Sequence, residues 1–109
     1  MKKDYLGMWR IKEMELWDQD FVDLEGPGRI EIRKDGRGSI RFGAVDVEMD
    51  YRVEKQADIE RIEFTFEGMD EGDPVSGRGW ARIEGPEMNG RIYFHFGDDS
   101  GFRAVKLKK

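Results

Sequence analysis

The chain has 109 residues, a formal net charge of −5 and no cysteine, with 39% charged and 12% aromatic residues. That length predicts one domain over 1–109 with a modest core; the lack of cysteine excludes a disulfide framework, a thiolate nucleophile and thiolate-built zinc sites. The acidic balance argues against a broad nucleic-acid surface, which needs excess Lys and Arg to displace counterions, and the regular patterning argues against disorder.

No hydrophobic run approaches the roughly 18 residues that span a bilayer, and MKKDYLGMW lacks the apolar stretch of a signal peptide. The expectation is a cytoplasmic protein with neither a membrane nor a nucleic acid as partner.

Apolar residues recur at every second position almost throughout, the signature of half-buried strands. In chain order the inward rows are Trp9 and Ile11, then Ile30 and Ile32, then Ile40 and Phe42. The clearest follows: Val45, Val47, Met49, Tyr51 and Val53 on one face, with Asp46, Glu48, Asp50, Arg52 and Glu54 on the other. Next come Ile62, Phe64 and Phe66, then Ala81 and Ile83, then Ile92, Phe94 and Phe96, and last Val105 and Leu107. This predicts eight strands and no helix of any length.

The connections KDGRG (34–38), FGAV (42–45), KQAD (55–58) and GPEMNG (85–90) are short, and the Asp-Gly of KDGRG suits a tight hairpin. Only LWDQDFVDLEGPG (16–28) and GMDEGDPVSG (68–77) read as long connections. Short connections favour an antiparallel meander, since parallel neighbours need long crossovers. An all-β, eight-stranded, antiparallel up-and-down barrel is the expected fold, and a two-sheet β-sandwich is the alternative.

GMWRI (7–11) resembles the Gly-x-Trp signature in the first strand of the calycins, the barrels that include lipocalins and avidins. The resemblance implies that Trp9 closes one barrel end under a basic residue of the last strand (Arg103, Lys106 or Lys108) and that the other end opens towards a ligand. MWRIKEMELWDQDF, SGRGWA and HFGDDSGF also resemble an uncharacterised group of small bacterial proteins, a likeness that supplies no activity.

In a meander the loops alternate between the two ends. Those at 15–28, 43–44, 68–76 and 97–101 then share the end away from Trp9, where function is expected because it concentrates in loops on a rigid scaffold. This end collects Asp18, Asp20, Asp23, Glu25, Asp70, Glu71, Asp73, Asp98 and Asp99. One reading is a mouth that attracts a small apolar or cationic ligand, with Trp17 and Phe21 as an aromatic lid; the other is soluble turn formers. The expected ligand-binding set is Trp17, Asp18, Asp20, Phe21 and Asp98, with Phe66 and Phe96 in the lumen beneath. Gly77, Gly79 and Ala81 leave either a cavity or room for bulky neighbours such as Phe64, Phe66, Phe94 and Phe96, and close packing favours filling.

His95, the single histidine, falls outward by period 2, before a DDSG (98–101) turn. Ser100 or Ser76 beside it makes a weak dyad, and with no second histidine neither a metal nor a cofactor is expected. We read HFGDDSGF as a corner and name no catalytic residue. An enzyme ranks third, with His95 and the nearby aspartates its only candidates. Trp80 also falls outward with Arg78 and Arg82, and pairing around GPEM (85–88) sets Trp80 opposite Tyr93 and Arg78 opposite His95. Aromatics flanked by arginine have interface composition, so the alternative function is a protein-interaction module, a homodimer joined through Arg78, Trp80, Arg82, Tyr93 and His95.

Overall fold

The alternating rows become eight antiparallel strands in a computed structural model that describes residues 5–107. They are β1 (Gly7–Met14), β2 (Arg29–Ile32), β3 (Arg37–Phe42), β4 (Val45–Gln56), β5 (Ile59–Asp70), β6 (Asp73–Glu84), β7 (Glu87–Phe94) and β8 (Asp99–Lys106). Each pairs with the next in sequence and β8 pairs back onto β1, so the sheet closes into an up-and-down barrel rather than a sandwich. Closure satisfies edge hydrogen bonds that a flat sheet would expose. The architecture is compatible with the calycin-like fold that GMWRI implies.

The Trp9 end is sealed. Trp9 is 1% exposed, and its indole Nε1 donates to the Tyr5 carbonyl at 2.9 Å, drawing the N-terminal segment across the barrel end. Lys106 Nζ stands 5.3 Å from the Trp9 ring centroid, since β1–β8 register sets Trp9 opposite Lys106. Lys106 is thus the basic residue over the tryptophan. Arg103 instead bonds Glu13 and Glu87, and Lys108 lies outside the described residues. Burial, and then the charge of Glu60, pushes the Tyr5 hydroxyl up to about 12. The Tyr5 hydroxyl donates to the Glu60 carbonyl at 3.3 Å.

Simple alternation fails where pairing between distant strands decides. Register between β1 and β8 slips between Ile11 and Glu13. This bulge turns the strand over, so Trp9, Ile11 and Met14 are all buried. In β8 the inward residues are Phe102 and Ala104; Val105 is half-buried and Leu107 exposed, the reverse of expectation. FRAVKL carries apolar residues on both parities, so only the pairing of Met14 with Phe102 and Ile11 with Ala104 chooses between them. Val53 is exposed because the β4–β5 ribbon runs on past the point where β3 stops pairing, at Arg37 opposite Asp50.

The connection expected over 68–77 is mostly strand. β5 and β6 stay paired out to Asp70 opposite Asp73, which leaves a two-residue turn at Glu71 and Gly72 with φ of 53° and 85°. Positive φ at both positions is the geometry whose twist matches the flanking strands. The 16–28 connection, read as free of helix, contains one turn, α1 (Gln19–Val22).

Candidate functional site at the barrel mouth

At the end opposite Trp9, two features rise above the rim. One is the β1–β2 connection carrying α1; the other is the tip of the β5–β6 hairpin, diametrically across an eight-strand ring. Between them lies an open cavity of about 780 Å³. Its apolar surface comes from Trp17, Phe21, Phe42, Val45, Val75 and Phe94, and its polar surface includes Glu48, Glu67, Asp70, Ser76, His95 and Asp98.

The α1 segment is held down at both ends. Asp18 caps the helix, its carboxylate accepting the Phe21 N–H at 3.0 Å. Asp23 takes both guanidinium nitrogens of Arg10 at 2.8 Å, the Gly28 N–H at 2.9 Å and Gln19 Nε2 at 3.1 Å. Val22 is fully buried, and the Phe21 ring lies on Gly43, where an added Cβ would stand 2.5 Å from Phe21 Cε2. At the start of the connection, the buried Ser100 hydroxyl accepts the Leu16 N–H at 3.1 Å and donates to the Gly101 carbonyl at 2.9 Å. That serine anchors a loop and has no free hydrogen to offer His95. Sequence reasoning missed this role because it put Ser100 in a turn.

The Arg10 guanidinium first, and the Gly28 N–H next, hold the Asp23 carboxyl well below the usual carboxylate range. A depressed folded value stabilises the native state above the unfolded value of about 4, and the contribution is lost as pH falls below it. Asp23→Asn should therefore cost about 1 kcal/mol at pH 7, given that the pair is partly exposed. The gap to wild type should narrow steadily below about pH 4. Urea midpoints across that range measure it, and a gap independent of pH would show that the carboxylate charge contributes nothing.

Rings fill the space beneath the mouth. Trp17 stands 5.1 Å from Phe42 and 6.4 Å from Phe94, and it stacks on Phe21 at 6.0 Å. Phe66 meets Phe94 edge-on at 5.3 Å and is buried, so it supports the floor and forms no wall of the mouth cavity. Phe64 and Phe66 occupy the room left by Gly79 and Gly77. The structure thus places Trp17, Phe21 and Asp98 on the cavity. It leaves Asp18, the N-cap of α1, and Asp20, in its first turn, off the cavity and exposed. Among the described residues no three His, Asp or Glu side chains come together as a metal-binding group.

Phe96 does not face the lumen. It is 98% exposed with a φ of 58°, because β7 ends at Phe94 and the turn is HFGD (95–98), not DDSG. Asp99 and Ser100 are already in β8. His95 is therefore an exposed turn residue, its ring centroid 4.0 Å from that of Phe96.

The outer-face register also differs from expectation. The β6–β7 turn is the two residues Gly85 and Pro86, with Glu84 opposite Glu87. A two-residue turn shifts every partner by two without changing which side faces in. Trp80 therefore sits opposite Arg91, and Arg78 opposite Tyr93. Each ring is covered by its own chain: Arg61 lies 4.9 Å over Trp80 and Arg78 lies 5.4 Å over Tyr93, while Arg82 bonds Glu84. Both rings still line one outer concavity, with Asp50, Thr65 and Arg78.

No family model, curated protein or solved structure matches the chain. Among the described residues no helix is long and apolar enough to cross a membrane.

Proposed function

We propose that the protein is a calycin-like binding barrel that holds a small, partly apolar ligand in the mouth cavity and carries out no chemistry on it. The observation that carries this reading is the cavity of about 780 Å³ floored by Trp17, Phe42 and Phe94. Small-molecule sites are concave, largely preformed and mostly apolar, with a few convergent polar groups, and fall between roughly 300 and 1,000 Å³. Because the lumen is packed with rings, the ligand rests on the Phe94 layer between α1 and the β5–β6 tip.

A ligand that binds only the native state raises its stability by mass action, by about 2.7 kcal/mol at a hundred times its dissociation constant. A thermal-shift screen of metabolites and cations should yield a hit whose shift is largely lost in Trp17→Ala. A broad screen with no shift removes the reading.

Self-association through the outer face is the second reading, favoured by the concavity that Trp80 and Tyr93 share. Trp80→Glu should then turn a dimer into a monomer by light scattering with the circular dichroism spectrum unchanged. A wild type that is monomeric at tens of micromolar sets that reading aside.

A further inference from the structure

The charge around the mouth identifies the kind of ligand. Four carboxylates, from Glu48, Glu67, Asp70 and Asp98, border the cavity and no lysine or arginine does; Glu48 and Glu67, opposite one another on the outward row of β4 and β5, also line an adjoining outer concavity with Arg37 and Arg78. Elsewhere on the barrel some carboxylates are matched with arginine, as in Asp46 with Arg41, Glu63 with Arg61, Glu84 with Arg82 and Asp99 with Arg91. At the mouth only Glu48 is matched, by Arg33 at 3.1 Å. Among the described residues Glu67, Asp70 and Asp98 have no ion pair.

We propose that the mouth takes an organic cation, an ammonium group carried on an apolar body; this rests on the mouth-binding reading and adds the ligand's charge and shape. A neutral apolar ligand that covered Asp70 or Asp98 would strip it of water without return, which costs free energy. An anion would meet an uncompensated negative field. A bare metal ion would find no converging group of ligands. An ammonium satisfies the carboxylates, and rings attract a cation through their negative faces. The apolar body then rests on Trp17, Phe42 and Phe94, so the two halves of the ligand match the two halves of the wall.

Isothermal titration with three probes of one shape tests this: 2-phenylethylammonium, 2-phenylethanol and phenylacetate. The ammonium should bind about tenfold or more tighter than the alcohol, a difference of about 1.4 kcal/mol, and the carboxylate should not bind. Raising the salt concentration should weaken the ammonium alone. In Glu67→Gln/Asp98→Asn, whose altered side chains are exposed, ammonium affinity should fall to that of the alcohol, while Trp17→Ala should weaken both. Alcohol and ammonium binding equally well through Trp17 would overturn the charge inference and keep the mouth reading. If no probe binds even in the millimolar range, the mouth reading falls and this inference with it.

Discussion

Gly79→Ala is expected to destabilise the protein by about 3 kcal/mol, the upper part of the range for overpacking a closed core. A Cβ at Gly79 would collide with the Arg91 carbonyl oxygen and lie 2.6 Å from Phe64 Cζ. The carbonyl belongs to β7, which is paired on both sides, so it moves only if the ladder moves with it. Phe64 is 5% exposed and packs 6.4 Å from Phe66, so its ring has little space to retreat. For a protein whose whole stability is on the order of 10 kcal/mol, this is a large fraction. The measurement is the guanidinium midpoint at constant slope. Adding Phe64→Leu should recover part of the loss by relieving the ring clash, leaving the collision with the carbonyl. A single variant within about 0.5 kcal/mol of wild type, the usual range of a neutral surface change, would show that the β6–β7 approach is looser than described.

Trp9→Ala should cost about 3–5 kcal/mol, as for other buried aromatics truncated to alanine. The indole fills the closed barrel end, holds the Tyr5 carbonyl through Nε1 and lies under Lys106. Trp9→Phe separates these contributions: it keeps most of the ring volume but leaves the Tyr5 carbonyl without its donor, a loss of about 1–2 kcal/mol. Denaturant titration of both variants decides between them. Equal losses would mean that tying down the N-terminal segment matters and filling the barrel end does not.

Much of the architecture was legible because the side-chain period of a strand is a local property. Two-residue alternation is written into VDVEMDYRVE and its counterparts, and short Gly-containing connections force neighbours to run antiparallel. The row Gly77, Gly79, Ala81 announced either a cavity or room for phenylalanine rings, and the rings of Phe64 and Phe66 are the ones that take it. Counting strands placed Trp17, Phe21 and Asp98 at one end, and Trp9 and the short turns at the other.

What the sequence alone determined, then, is the set of strands, their antiparallel order and the end that bears the acidic mouth. Tertiary structure decided closure into a barrel, the bulge after Ile11, the parity of β8, the register of Trp80 against Arg91 and the exposure of Phe96. The physical reason is that these depend on pairing energies between segments up to the full chain apart, and on turns whose length is set by positive φ at residues such as Glu71 and Phe96. A period of two repeats identically after a shift of two residues, so local pattern is blind to register. Which carboxylates are left unpaired follows from register. Which of the mouth's carboxylates meets an arginine is therefore visible only in the folded structure, where Arg33 reaches Glu48.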